Sequence, residues 1–232
     1  MKKVAIIQSS YIPWKGYFDI IHDVDLFIFY DDRQYTVRDW RNRNKIKTPA
    51  GPQWLTIPVG SSRDRLIYEV EIADDGWGKK HWDTLKQNYS RAPYFKEYKE
   101  FFEHVYLEMK WGNLSELNQY LVKTISKDFL GIKTEFKDSR EFNAQGYRLD
   151  RILDLLDRAN ASFYLSGPSA RDYIVEERFV EKSIELQYKD YSGYPEYQQL
   201  FPPFEHGVTI LDVLFNCGPN TPHYIWGWRE KV

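Results

Sequence analysis

The first residues that could do chemistry form a cationic and aromatic segment in the first fifty residues. Guanidinium groups bind phosphate oxygens through paired hydrogen bonds. Trp40 and Asn42 alternate with the cations and would supply a stacking plane and an orienting amide. We predict that Arg41, Arg43 and Lys45 bind a phosphate; a solvated strand face is the alternative. The cations of this segment are Arg38, Arg41, Arg43, Lys45 and Lys47.

Two adjacent carboxylates follow the second apolar run of the chain. Asp31 and Asp32 lie where that run ends. Adjacent residues of a strand point to opposite faces, so the two carboxylates are not expected to share a proton. We predict that Asp32 faces a cleft as a general base, with Gln34 and Tyr35 binding substrate beside it; an ordinary turn at the end of a strand is the alternative.

The first apolar run also ends in polar and aromatic residues. Gln8, Tyr11, Trp14 and Tyr17 follow it directly, and we predict that they contact substrate. Asn216, near the carboxyl terminus, is a further predicted substrate contact. The segment contains neither a G-x-G-x-x-G motif nor a P-loop, so no nucleotide fingerprint is predicted.

Metal and thiol chemistry find little support in the sequence. The five histidines are scattered and none has the spacing of a metal site, so no metal is predicted. Cys217 is the single cysteine, which excludes an internal disulfide and favours a buried thiol in a reducing cytoplasm.

The residues above need strands and helices to position them. The apolar runs at 4–7 and 25–30 predict buried strands, with a short helix at 16–22 between them. Residues 41–47 and 53–59 predict a hairpin around Pro and Gly. Residues 77–130 read as mostly helical, and 149–159 predict a helix with a buried leucine stripe. Short strands are predicted at 133–137, 163–165 and 184–188, before a helix that Thr209 caps.

Length and alternation set the fold class. The chain has 232 residues, 42% of them hydrophobic, and a net charge of −2. We predict a single α/β domain over 1–232, with 77–130 as a helical subdomain. The balanced charge gives no global attraction to nucleic acid or to an anionic membrane. No apolar run reaches the roughly 20 residues of a membrane span, so no membrane partner is predicted.

Several blocks of the sequence resemble the WbqC-like protein family. The first blocks are Tyr11-x-Pro-Trp-x-Gly-Tyr-Phe18, Asp31-Asp32-x-Gln-Tyr35 and Trp40-x-Asn-Arg-Asn-x-Ile-Lys47. The match continues to Asn216 and covers nearly the whole chain. A fainter likeness links the first strand, helix and strand to Rossmann-like, nucleotidyltransferase-like folds, whose H-x-G-H is Trp14-Lys-Gly-Tyr17 here. The resemblance therefore implies a mostly parallel sheet but not the adenylylating chemistry.

The resemblance also implies a function in bacterial surface-polysaccharide synthesis. It implies a cytoplasmic transferase that N-acylates a nucleotide-linked amino sugar with an amino acid such as glycine. The acyl donor stays open between aminoacyl-tRNA, a carrier thioester, and ATP with free amino acid. Two alternatives are a non-catalytic module that binds nucleotides or nucleic acid, and an ATP-dependent amide ligase. The oligomeric state is not predicted.

Overall fold

Strands and helices alternate along the chain. The structure, a computed structural model, describes residues 1–73, 76–172 and 174–229. In chain order, the strands and helices are β1 (Lys3–Ile7), α1 (Lys15–His22), β2 (Leu26–Phe29), β3 (Arg43–Thr48), β4 (Gly51–Thr56), α2 (Trp77–Tyr89), α3 (Phe95–Glu103), α4 (Leu114–Thr124), β5 (Glu135–Asp138), α5 (Leu149–Arg158), β6 (Phe163–Ser166), α6 (Glu177–Glu181), β7 (Glu185–Tyr188) and α7 (Ile210–Cys217).

A parallel sheet forms the centre of the fold. Its strands lie in the order β5-β2-β1-β6-β7, and each neighbouring pair is parallel. Counted along the chain, this is the order 3-2-1-4-5, which the first five strands of the Rossmann fold share. The predicted α/β class with a mostly parallel sheet is confirmed, and its Rossmann-like part rests on this order alone. The strand order reverses between β1 and β6, so a crevice is expected beyond their carboxyl ends.

Successive side chains of the central strands enter two different cores. Val4 and Leu26 pack with α5 and α6, whereas Ala5 and Phe27 pack with α1, α2, α3, α4 and α7. A strand sends alternate side chains to opposite faces, so a continuous apolar run fits a sheet that is covered on both sides. The predictions of buried strands at 4–7 and 25–30 are confirmed for this reason.

Helix α5 covers one face of the sheet. Its predicted apolar stripe is buried, from Leu149 to Leu156, and each fully buried leucine contributes about 1.5–3 kcal/mol to stability. The helix connects the end of β5 to the start of β6, so it runs antiparallel to the strands. Its first residues therefore lie at the carboxyl edge of the sheet, beside the crevice.

The predicted hairpin is formed by β3 and β4, which pair in antiparallel register. Lys45 lies opposite Trp54, and the two side chains share the outer face with Arg43. The inner face buries Ile46 and Leu55. The first strand of the hairpin begins at residue 43 and not at the predicted residue 41, so Arg41 precedes the strand whose outer face carries Arg43 and Lys45.

The middle of the chain is helical, as predicted. Helices α2, α3 and α4 share one apolar cluster with the sheet, and π-helical turns extend α3 and α4 over His104–Glu108 and Ile125–Phe129. Across the three described ranges, no helix combines the length and apolar character that a membrane crossing requires. The division into one domain with a helical subdomain over 77–130 stays a prediction.

Candidate functional site

A cleft of about 1750 Å³ opens beyond the carboxyl ends of β1 and β6. Gln8, after β1, and Ser169, after β6, both line it. This is where the reversal of strand order places a ligand site. Pockets for a single drug-sized ligand typically measure about 300–1,000 Å³. The cleft therefore has room for a nucleotide-sized ligand and for a second group beside it.

The loop after β1 is held in a strained conformation at the cleft. Ile12 has a φ of 35°, which is costly for a β-branched residue. Its carbonyl oxygen accepts hydrogen bonds from Asn44 Nδ2 at 2.9 Å and from Thr209 Oγ1 at 2.7 Å. These bonds from the hairpin and from the cap of α7 offset the strain. They hold the next two residues, Pro13 and Trp14, in the cleft wall.

Trp14 forms an aromatic part of this wall. Its ring centroid lies 5.2 Å from that of Tyr191 and 6.0 Å from that of Tyr194. The indole also folds back over Gly16, where a Cβ atom would lie 2.3 Å from it. The glycine of the Trp-x-Gly pattern is therefore required by the close approach of the indole.

Asp31 is a structural carboxylate. It is fully buried and accepts hydrogen bonds from the backbone N–H of Ser9 at 2.7 Å, from the hydroxyl of Ser115, and from the amide of Gln119 at 3.2 Å. Burial raises the pKa of Asp31, and the hydrogen bonds to Ser115, Ser9 and Gln119 act against this. Asp31 therefore joins the end of β2 to the loop after β1 and to α4.

Asp32 points into a different network and lines the cleft. Its Oδ1 accepts a hydrogen bond from the Ser139 hydroxyl at 2.8 Å, and its Oδ2 accepts one from the Arg151 guanidinium. Arg33 Nε lies 3.7 Å from Oδ1. The structure therefore brings the predicted general base to the cleft, beside two guanidinium groups that were not predicted as its partners.

Arg41 is the cation of the basic segment that reaches the cleft. Its Nη1 donates a hydrogen bond to the side-chain oxygen of Gln8, and its Nη2 lies 3.8 Å from Asp39. Arg33 lines the same cleft, and its guanidinium lies 4.7 Å from the ring centroid of Tyr30. Two guanidinium groups thus line the cleft, where an anion could bind.

Arg43 and Lys45 do not line the cleft. Their cationic groups lie 4.1 Å and 5.1 Å from the ring centroid of Trp54. Because strand residues alternate between faces, β3 turns both cations to the outer face of the hairpin. Trp54 packs there against Trp40, which is 44% exposed and also lines the cleft. The structure separates the predicted phosphate-binding set into one cleft arginine and two outer cations.

Tyr11 lies in the core and not in the cleft wall. Its hydroxyl is hydrogen-bonded to His81 Nδ1 at 2.8 Å and to the Tyr106 hydroxyl at 2.7 Å. Burial raises the pKa of Tyr11 and lowers that of His81 to about 4. The residue that was predicted to contact substrate therefore links the loop after β1 to the helical layer.

Three other predicted substrate contacts are also absent from the described cleft lining. Tyr35 is buried at 2% exposure. The side-chain amide of Asn42 donates to the Ile57 carbonyl at 2.9 Å, and that of Asn216 donates to the Asp212 carbonyl at 2.8 Å. The two asparagines therefore satisfy backbone carbonyl groups within the fold.

The remaining predicted site residues all line the cleft. The Tyr17 hydroxyl donates to the Gln8 carbonyl at 3.0 Å, and burial raises its pKa. The Gln34 amide donates to the Arg63 carbonyl at 3.2 Å. The predicted site residues that line the cleft are Gln8, Trp14, Tyr17, Asp32, Gln34, Trp40 and Arg41.

The opposite wall of the cleft was missed by the sequence reasoning. Tyr147 and Arg148 precede α5, and Arg178, on α6, lies 2.9 Å from Asp150. All four line the cleft. The sequence does contain a signal for this wall: in Tyr147-Arg148, as in Trp40-Arg41, an aromatic residue is followed directly by an arginine. Among the described residues of the cleft lining, arginines outnumber carboxylates, so the site favours an anionic ligand.

Comparisons with known proteins agree with the blocks described above. A sequence model of the WbqC-like protein family matches residues 8–224. The chain is 48% identical over 232 residues to the "Uncharacterized protein Rv1507c" of Mycobacterium tuberculosis (strain ATCC 25618 / H37Rv), with 99% of this chain and 100% of the relative covered. No solved structure matches the chain.

Proposed function

The chain belongs to the WbqC-like protein family, and from this premise we propose that it is a transferase acting on a nucleotide-linked amino sugar. It N-acylates the sugar with an amino acid such as glycine, during the cytoplasmic synthesis of an O-antigen or capsule precursor. The family membership supports the polysaccharide context. The substrate and the reaction are those that the family resemblance implies, and the chemistry of the cleft supports them.

One observation carries the proposal. Arg41, Gln8 and Asp32 line one cleft at the reversal of strand order, with Trp40 and Arg33 beside them. Guanidinium groups bind the oxygens of a diphosphate, and an indole stacks on a sugar or a base. These residues support the proposal because they offer anion binding, ring stacking and a carboxylate that can accept a proton.

The proposed reaction transfers an activated acyl group in a single addition and elimination; with ATP and free glycine, the glycine carboxylate first displaces pyrophosphate from ATP, and AMP is then the leaving group. The sugar amine attacks the acyl carbonyl carbon, and a C–N bond forms. The nitrogen becomes strongly acidic in the tetrahedral intermediate, so the Asp32 carboxylate takes its proton. The bond between the acyl carbon and the leaving group then breaks, and its electron pair departs with the leaving group, which receives the proton. Gln8 and Gln34 orient the acyl group in this arrangement.

A transfer assay tests the proposal. Sugar nucleotides with an amino group at one sugar carbon are incubated in turn with radiolabelled glycyl-tRNA, with a radiolabelled glycyl carrier thioester, and with ATP and radiolabelled glycine. The product is analysed by mass spectrometry. We expect one glycyl group on the sugar nitrogen with one donor class. The matched sugar nucleotide with a hydroxyl in place of the amine should not react. Absence of transfer from aminoacyl-tRNA, carrier thioester and ATP with glycine alike would refute the reaction.

A nucleic-acid-binding module is the second candidate, and the outer face of the hairpin favours it. Arg43 and Lys45 lie over Trp54 there, outside the cleft. Cations beside an exposed ring suit single-stranded nucleic acid. This candidate predicts that oligonucleotides bind more tightly than sugar nucleotides, with an affinity that falls steeply as salt rises.

A further inference from the structure

The two walls of the cleft each present an aromatic residue followed by an arginine. Trp40-Arg41 belongs to the face of the sheet that the hairpin and α1–α4 cover, because Ile46 of the hairpin lies in that apolar cluster. Tyr147-Arg148 precedes α5, which covers the other face. Both pairs line the same cleft, so they approach it from opposite faces of the sheet.

Arg148 differs from the other arginines of the cleft. Arg33, Arg41 and Arg178 each lie within ion-pair distance of a carboxylate. Arg148 has no such carboxylate among residues 1–73, 76–172 and 174–229. A guanidinium group is always charged, so an unpaired one in a concave site is complementary to a ligand anion.

The backbone holds this pair in place at a cost. Arg148 has a φ of 50° and a ψ of −121°, a region that residues with a Cβ rarely occupy. Gly146, two residues earlier, has a φ of 89°. Such strain is found mainly where the surrounding structure fixes a functional side chain. Here it places Tyr147 at the cleft with 69% of its surface exposed and with the Arg148 guanidinium 5.2 Å from its ring centroid.

We propose that Tyr147 and Arg148 form a second subsite, which binds the nucleoside phosphate group of the acyl donor. The exposed ring stacks on a base and the free guanidinium binds a phosphate, while Arg41 holds the diphosphate of the sugar nucleotide. The cleft volume of about 1750 Å³ accommodates both ligands together. The inference rests on the proposed function, because a donor subsite has meaning only in an enzyme with two substrates.

Calorimetric titration of the intact protein with AMP tests the subsite. We expect Arg148→Gln and Tyr147→Ala each to weaken AMP binding about tenfold or more, and to leave sugar-nucleotide binding within about twofold. Arg41→Ala should weaken sugar-nucleotide binding about tenfold or more and leave AMP binding within about twofold. AMP should also bind with the same affinity when the sugar nucleotide is saturating. All three side chains are at or near the surface of the cleft, so circular dichroism should report an unchanged fold.

The outcomes separate this inference from the proposed function. Competition between AMP and the sugar nucleotide, AMP binding that Arg148→Gln does not change, or no AMP binding would overturn the subsite. Binding of AMP through Arg148 without any binding of sugar nucleotides would overturn the proposed function and keep a nucleotide site. Displacement of AMP by ATP, by coenzyme A and by a cytidine-cytidine-adenosine trinucleotide then shows which class of donor supplies the base and phosphate that bind at this subsite.

Discussion

The Arg41 guanidinium donates a hydrogen bond to the side-chain oxygen of Gln8. The contact joins residues that are 33 positions apart, one directly after β1 and one two residues before β3. It holds Arg41 of the basic segment at the carboxyl end of the sheet. The next cations, Arg43 and Lys45, lie over Trp54 outside the cleft, so Arg41 is the member of the predicted phosphate-binding set that can meet a ligand there.

Replacing Asp32 with Asn tests the proposed proton acceptor. Asn keeps the shape of the side chain but cannot take a proton from the attacking nitrogen. We expect kcat to fall about 100-fold or more, which is the usual contribution of a general base. The Kd of the sugar nucleotide should change less than about threefold. Steady-state kinetics and calorimetry measure the two quantities.

Asp150→Asn is the matched control for that substitution. Asp150 also lines the cleft, with 62% of its side chain exposed, and it pairs with Arg178. Its substitution should leave kcat within about threefold. A large loss of kcat in Asp150→Asn combined with normal turnover in Asp32→Asn would assign the proton transfer to the other carboxylate.

Replacing Gly16 with Ala tests how the cleft wall is built. The added Cβ would lie 2.3 Å from the Trp14 indole, against which Tyr191 and Tyr194 also pack. We expect the variant to lose about 1–3 kcal/mol of unfolding free energy in urea titrations, because overpacking forces the ring to move. Gly112→Ala serves as the control, since a Cβ added there would have open space within 4 Å. Equal stabilities of the two variants would show that the indole does not need the glycine.

The burial of His81 predicts a pH dependence of stability. Burial lowers the pKa of His81 from its ordinary value of 6.5 to about 4. The unfolded chain therefore binds more protons below pH 6.5, and stability is lost as the pH falls towards 4. We expect about 2 kcal/mol of unfolding free energy to be lost through His81 between about pH 7.5 and pH 5.

Urea titrations across this pH range measure that loss. His81→Gln should show a smaller decrease than the wild type, because the group that takes up the proton is gone. His104→Gln alters an exposed histidine, with 54% of its side chain accessible, and should leave the decrease unchanged. Identical pH profiles for all three proteins would contradict the role of burial at His81.

The strands of the sheet and the start of α7 were predicted well from the sequence because their signals are local. Apolar runs such as Val4 to Ile7 produce strands that are buried on both faces. Thr209 begins α7 because its side chain accepts a hydrogen bond from the free Leu211 N–H group at the start of that helix. None of these assignments needs knowledge of distant residues.

The residues that line the cleft were only partly predictable from the sequence, because long-range packing decides which side chains reach it. A two-residue difference in where β3 begins separates Arg41 from the outer cations. Tyr11 and Trp14 belong to the same loop, and only the tertiary fold places one in the core and the other in the cleft. Arg148 reaches the cleft through the crossover from β5 to β6, which no local pattern reports.

Calorimetric titration of a nucleotide-linked amino sugar into the wild type, Arg41→Ala and Arg43→Ala tests the central claim most directly. The two arginines are two positions apart, but only Arg41 lines the cleft. We predict that Arg41→Ala raises the Kd about tenfold or more, as expected for the loss of charge-assisted hydrogen bonds to a diphosphate, and that Arg43→Ala changes it less than about twofold. An unchanged Kd in Arg41→Ala, or an equal increase in both variants, would contradict the claim that this cleft binds the diphosphate.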